Sequence, residues 1–215
     1  MCELILASNS PRRIELLVLL GLSFTVNPAD IDEGLGVGET PPAYVRRLAL
    51  GKAHNIAQDQ PGLVIAADTI VVDGETLLGK PADPAEAHRM LQQLRGRDHQ
   101  VFTAIAILAP HHGQSFSAVC VTDVPMRAYT DAEIDAYVST GDPLDKAGAY
   151  GIQNAAFHPV EGLQGCFASV MGLPLCHLAV GLGTFGVDVT RGLPVRCQAY
   201  LDYRCPVYDA ILDSL

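Results

Sequence analysis

The run Leu63 to Pro81, LVIAADTIVVDGETLLGKP, limits what this chain can fold into more than any other stretch. Leu63, Val64, Ile65 and Ala66 form a short apolar run of strand character, and Asp68 follows as the run ends, where a side chain can leave the core for a cleft. Asp73-Gly74 is a strong hairpin signal, flanked by Ile70, Val71, Val72 on one side and Thr76, Leu77, Leu78 on the other. The returning strand brings Gly79-Lys80-Pro81 back toward Asp68, so a carboxylate and an ammonium are expected to share one site. The plainer alternative for Asp68 is a strand-end polar residue with no chemistry. From Gly74 to Lys80 the same stretch spells G-x-x-x-x-G-K, yet Pro81 stands where a phosphate-binding P-loop needs Ser or Thr. Proline has no hydroxyl for magnesium, and the residues between the glycines read as a strand, so a P-loop is excluded.

Upstream, Glu3 to Ala7 reads as a strand that runs through Ser8-Asn9-Ser10-Pro11-Arg12-Arg13 into an apolar helix, Ile14 to Leu20, closed by Gly21. Ser10 is the expected N-cap and Pro11 suits the first helical position. Free backbone N–H groups at that helix start, with two serines and two arginines beside them, make a phosphate cradle. As bare solvated charges the arginines would oppose the helix dipole, which favours the anion-site reading. Asp30, Asp32 and Glu33 lie in a Gly-rich loop reaching Gly38. Thr40 and two prolines then open a helix to about Ala57, on which Lys52, a lone helical lysine, reads by itself as a solvated charge.

Beyond the hairpin, Asp83-Pro84-Ala85-Glu86 caps a helix carrying Ala87, Met90, Leu91 and Leu94, which Gly96 ends. Val101 to Leu108 and Phe116 to Met126 are expected strands joined at Pro110-His111-His112-Gly113, where the paired histidines read as a surface turn rather than metal ligands. Thr130-Asp131-Ala132-Glu133 is a capping box for a helix to about Val138. Leu144 to Gln153 combines charges with Gly148 and Gly151, which suit close approach of backbone to a ligand. Cys166 to Met171 is expected as a strand, and Gly172-Leu173-Pro174 leads into an apolar helix ending near Gly181 or Gly183. The last thirty or so residues carry no functional reading. Strands alternating with helices around a long hairpin predict an α/β protein with a mixed, twisted sheet and a cleft collecting Ser8 to Arg13, Asp68, Lys80 and residues 145–153.

A formal net charge of -10, from 24 acidic against 14 basic residues, disfavours a polynucleotide partner but leaves room for a small phosphate ligand. No apolar run approaches about 18 residues, so no membrane span is expected. Met1-Cys2-Glu3 leads straight into a strand without a basic leader or cleavage site, which predicts a cytoplasmic protein. The 6 cysteines include no C-x-x-C pair and read as mostly reduced and buried; Cys197 and Cys205 are close enough in sequence to bridge or bind metal but lack the spacing signature.

Five ordered motifs make the chain resemble the Maf family of nucleoside triphosphate pyrophosphatases, related in fold to the inosine triphosphate pyrophosphatases (a Maf/Ham1 fold). They are Ser8-Asn9-Ser10-Pro11-Arg12-Arg13, Glu33 with Lys52, Ala67-Asp68-Thr69, Gly79-Lys80-Pro81, and Asp145-Lys146-Ala147-Gly148-Ala149-Tyr150-Gly151-Ile152-Gln153. The resemblance covers about residues 3 to 180, so a catalytic domain over 1–183 and a C-terminal extension over 184–215 are expected. It implies hydrolysis between the α and β phosphates of a nucleotide, with a divalent cation, Mg2+ or Mn2+. Asp68 matches the family's general base. Arg12, Thr69 and Gln153 match residues associated with uridine and thymidine triphosphates as opposed to 7-methylguanosine triphosphate. Ser8, Ser10, Arg12, Arg13, Lys52, Lys80 and Lys146 are the implied phosphate ligands.

The chemistry of these residues agrees with that implication. The cationic side chains would offset the charge of a triphosphate and of the leaving pyrophosphate. Asp68 has two open roles, taking a proton from the attacking water or holding the metal with Glu33, because an ordinary carboxylate is a weak base at neutral pH. Gln153 offers one donor and one acceptor, which suits the imide edge of uracil or thymine. Residues 154–164 and Cys166-Phe167 depart from the family pattern, and the tail beyond 184 exceeds its usual length, which leaves a homodimer open. A nucleotide-binding regulator of septum formation with little catalysis is the alternative function, and a modified-purine pyrophosphatase the alternative specificity.

Overall fold

The computed structural model describes residues 3–58, 60–110 and 113–213; the His111-His112 pair lies outside them. Six strands form one mixed sheet: β1 (Leu4–Leu6), β2 (Phe24–Val26), β3 (Leu63–Asp73), β4 (Thr76–Leu78), β5 (Asp98–Ala109) and β6 (Gln114–Pro125). Their order is β2-β1-β3-β5-β6, with β4 also on β3. The sheet is parallel at β1, β2 and β3 and antiparallel at the β3–β4, β3–β5 and β5–β6 pairs.

Side chains alternate between the two faces of β3, and so the apolar residues fall into two cores. Val64, Ala66, Ile70 and Val72 pack with Val45, Ala49, Ala53 and Ile56 of α2 (Pro41–Ala57). Leu63, Ile65, Ala67 and Val71 join the other core. That second core takes in α1 (Pro11–Val18), α3 (Pro84–Leu94), α4 (Asp131–Ser139), α5 (Phe167–Met171) and α6 (Leu175–Thr184). The helix starts follow the local code: Asp83 accepts from the Glu86 N–H at the head of α3, and Thr130 and Glu133 form a reciprocal capping box on α4.

One edge of β3 is paired with β5 from Val64 to Val72. On the other edge β1 stops opposite Ile65, with Ala7 N–H donating to the Ile65 carbonyl, and β4 pairs with β3 only from Val71 onward, its last residue Leu78 lying opposite Val71. Among the described residues, Ala66 to Ile70 therefore has no strand beside it on that edge. Asp68 lies in the middle of this gap, so the expectation that it ends a strand is corrected: β3 continues to Asp73, and the neighbouring strand is what ends. β1, running parallel to β3, delivers Ser8 and α1 into the gap. β4, running antiparallel, delivers Gly79 and Lys80 into it from the opposite side.

Other expectations change. Cys166 to Met171 is not a strand; Ser169 and Val170 N–H groups close back on the Cys166 carbonyl to start α5, which Gly172 ends at φ +112°. A short apolar run is equally compatible with a buried helix, and just before it Gly165 packs on Thr122 with no room for a Cβ. The strand β2 carried no recognised signal. The described part of the expected extension beyond α6, residues 185–213, carries α7 (Leu193–Leu201) and α8 (Tyr208–Leu212), and Val189, Leu193, Cys197, Leu201 and Tyr203 pack on the main core. Cys120, Cys166, Cys176, Cys197 and Cys205 are free thiols. Among the described residues no helix is long and apolar enough to cross a membrane.

Candidate active site

A cleft of about 610 Å³ opens at the gap in the sheet and is lined by Asn9 to Arg13, Glu33, Tyr44, Lys52, Asp68, Thr69, Gly79, Lys80 and residues 145–147 and 150–153, among others. Because the open edge of β3 forms its floor, residues of both faces reach it: Asp68 on the α2 side, Thr69 on the other.

Asp68 is buried, at 7% exposure, and its Oδ1 accepts from Lys52 Nζ at 2.6 Å. Lys52 Nζ also lies 2.6 Å from Glu33 Oε1. Lys52 is thus no solvated charge: it falls on the buried stripe of α2 with Val45, Leu48, Ala49 and Ile56, a spacing visible in the sequence. Burial raises the pKa of Asp68 above the usual carboxylate range, with Lys52 opposing the shift. For Glu33, burial also acts to raise the pKa, but the hydrogen bond and charge of Lys52 outweigh it and the net shift is downward. The two carboxylates sharing one ammonium are therefore pushed apart. The loop carrying Glu33 is tied to α2: Tyr44 OH donates to the Glu33 carbonyl at 2.8 Å, and Arg47 donates to the Gly34 carbonyl and, through two nitrogens, to Glu39.

At the head of α1, neither Ser10 nor any other side chain caps the helix, and Ser10 faces the cleft. Arg13 is locked: Nε donates to the Gly172 carbonyl at 3.0 Å, and its two terminal nitrogens to Ser8 Oγ and Thr69 Oγ1, each at 3.3 Å. Burial lowers its pKa. Ser8 stands behind Arg13 rather than among the cleft-lining residues. Thr69 Oγ1 also lies 3.0 Å from Thr103 Oγ1, and Thr103 donates to the Ser169 carbonyl, so α5 braces this wall. Arg12 reaches across the cleft to Asp145 Oδ2 at 3.0 Å. Lys80 and Gln153 are exposed on the rim.

Lys52 and Lys146, both expected among the phosphate ligands, hold carboxylates here. Lys146 Nζ donates to the Asp142 carbonyl (2.6 Å), Asp142 Oδ1 (2.8 Å) and Asp145 Oδ1 (2.7 Å), which uses all three ammonium hydrogens. Tyr44 and Gly172 were given no place in the site from the sequence, and Asp145, though part of a motif and of the expected cleft segment, was given no role. Asp145 had a signal, since it adjoins Lys146, while Gly172 acts through a carbonyl that carries none.

Among the described residues no three His, Cys, Asp or Glu side chains gather around one point as a metal cage would. Glu33 and Asp68 nonetheless converge on one cationic position, filled by Lys52. Such a pair of hard oxygen ligands suits a cation that also takes substrate phosphates, as Mg2+ commonly does.

A family model for Maf-like protein matches residues 3–185. The chain is 47% identical over 190 residues to a dTTP/UTP pyrophosphatase of Moorella thermoacetica, covering 88% of this chain and 98% of that one. It is 49% identical over 197 residues to a dTTP/UTP pyrophosphatase of Myxococcus xanthus, covering 91% and 96%. Among solved structures, a HAM1 protein from Coxiella burnetii aligns with 60% of this chain and 75% of its own at 21% identity and a TM-score of 0.45. With a family match spanning the whole sheet, its cleft and helices α1 to α6, this chain belongs to the Maf-like protein family.

Proposed function

We propose that the chain is a nucleoside triphosphate pyrophosphatase that hydrolyses the α–β phosphoanhydride of dTTP and UTP to the monophosphate and pyrophosphate. The observation that carries this reading is the gap in the sheet: a buried carboxylate of raised pKa sits there, with cationic elements arriving from both sides. The names of the relatives point to the same reaction.

The triphosphate lies between the head of α1 and the Gly79-Lys80 end of β4. Arg12, Arg13 and Lys80 neutralise it, and Arg13 is held in place by Gly172, Ser8 and Thr69 before substrate arrives. Asp68 takes the proton from the water that attacks the α phosphorus, and the bond to the bridging oxygen breaks toward pyrophosphate. A raised pKa suits Asp68 to that work, whereas Glu33, held anionic, suits cation binding. A divalent cation, Mg2+ or Mn2+, held by Glu33, Asp68 and phosphate oxygens, would supply further neutralisation of phosphate charge. Lys52 keeps Asp68 ionised in its buried position. Gln153 meets the imide edge of the base. The tail, residues 184–215, braces the core of the catalytic unit.

The test is pyrophosphate release from a panel of nucleoside triphosphates with Mg2+, repeated with excess chelator. Turnover of dTTP and UTP with pyrophosphate as product, lost on chelation, is expected; release of single phosphate, or no turnover of any nucleotide, overturns the proposal. Asp68→Asn is expected to abolish turnover in a folded protein, and full activity in that variant removes Asp68 from the mechanism.

A further inference from the structure

The 142–154 segment, which forms the cleft wall bearing Gln153, has no regular secondary structure beyond two short 3-10 turns, Asp142–Asp145 and Ala147–Ala149. Its shape is set by one carboxylate and one phenol that lie outside the cleft lining. Asp142 Oδ2 accepts from Tyr137 OH at 2.6 Å and from Asn154 Nδ2 at 3.2 Å, while its Oδ1 and carbonyl take Lys146. Tyr137 OH in turn accepts from the Gly151 N–H at 3.0 Å, two residues before Gln153. The ring of Tyr137, at the end of α4, is stacked on Phe157 with centroids 4.2 Å apart. Gly151 itself is pressed against the Lys146 stem and the Gln153 amide, which a Cβ would meet at 2.9 and 3.2 Å. Burial would push the Asp142 carboxyl upward, but the hydrogen bonds from Lys146 and Tyr137 hold it below the usual range, so it is anionic and organises its donors.

We infer that Tyr137 and Asp142 are positioning residues for base selection: together they fix the backbone at Gly151, and with it the place from which Gln153 meets the base. This rests on the pyrophosphatase reading and on Gln153 facing the base. Tyr137 touches none of the groups that form the phosphate end, namely the head of α1, Asp68 and Lys80, whereas Asp142 is joined to Arg12 through Lys146 and Asp145. Losing the Tyr137 hydroxyl should loosen the choice of base and leave phosphate recognition alone.

The experiment uses the full chain and Tyr137→Phe, which keeps the stacked ring and removes only the hydroxyl. Wild-type turnover of dTTP and UTP tests the underlying reading separately. In Tyr137→Phe, kcat/KM for dTTP and UTP is expected to fall about tenfold, mainly through KM, as the loss of a hydroxyl that donates to Asp142 and accepts from the Gly151 N–H predicts. The preference for these substrates over dCTP and GTP should narrow, and inhibition by pyrophosphate should be unchanged. Asp142→Asn should narrow the base preference too, and the double variant should narrow it no further than the more affected single one, since both residues serve one linkage to Gly151; because Asp142 also holds Lys146, pyrophosphate inhibition is read in Tyr137→Phe. Unaltered base preference in Tyr137→Phe overturns the inference, as does pyrophosphate inhibition weakening in step with KM, which would mark a general loosening of the cleft. If Asp142→Asn fails to fold, Tyr137→Phe decides alone.

Discussion

Replacing Lys52 by Met removes the ammonium between Asp68 and Glu33 at nearly constant side-chain volume. The side chains of Lys52 and Asp68 are only 11% and 10% exposed, so water does little to screen the charge left behind. Breaking such a buried pair by removing one partner costs about 3 to 5 kcal/mol. A second route gives a similar figure. The stranded carboxylate can take up a proton, and holding an aspartate of unfolded pKa about 3.9 neutral at pH 7 costs about 1.4 kcal/mol for each of roughly 3 pH units, or about 4 kcal/mol. Wild-type Asp68 already bears part of this cost, since burial has raised its pKa, so the loss in Lys52→Met is at most about 4 kcal/mol at pH 7. The sign with pH follows from the direction of the shift. A carboxyl whose folded pKa lies above its unfolded value subtracts stability above the folded pKa and nothing below the unfolded one. Losing Lys52 moves the folded pKa further up, so the deficit relative to wild type shrinks by about 1.4 kcal/mol per unit as pH falls from the variant's folded pKa toward the raised folded pKa of wild-type Asp68. Urea unfolding of both proteins at about pH 7 and about pH 5 measures this. The acid limb of kcat/KM against pH should move upward as well, because the base must be ionised. An equal deficit at both pH values, or an unmoved acid limb, refutes the claim that Lys52 supports the charge of Asp68.

Two further outcomes follow from the packing around the site. Gly148 sits at φ +68°, donates its N–H to the Gly79 carbonyl at 3.0 Å, and leaves no room beside Val71, whose Cγ2 a Cβ would meet at 2.9 Å. Gly148→Ala should therefore lose about 2 to 4 kcal/mol in urea unfolding from left-handed strain plus overpacking, and a loss below about 0.5 kcal/mol contradicts that geometry. His99 is buried, shares a 2.8 Å contact with Tyr150 OH, has no partner at Nδ1 among the described residues, and has its pKa pushed down to about 4 by burial. Its folded pKa lies below the unfolded one, so stability is lost as pH falls through the window from about 6.5 to 4, by roughly 3 kcal/mol in all; His99→Gln should flatten this slope in unfolding measurements across that range, and parallel slopes count against a neutral buried imidazole.

What the sequence determined by itself is what a few neighbouring residues encode. Asp73-Gly74 specifies the hairpin, Thr130 and Glu133 the start of α4, and Pro11 the first turn of α1, because turn and cap geometries are settled within about four residues. The ordered motifs also named most of the side chains that line the cleft. Tertiary structure decided how they are used. Asp68 is accessible only because β1 ends opposite Ile65 and β4 ends opposite Val71, a matter of strand length and register that the residues around Asp68 do not encode. Lys52 becomes the partner of Asp68 through the packing of α2 on the even-numbered face of β3, and Gly165, just before α5, is required by its close approach to Thr122 of β6. Tyr137 governs Gly151 from another element altogether. Each of these depends on contacts between distant segments, and such contacts leave no mark on the residues that flank either partner, so only the folded arrangement of the chain contains them.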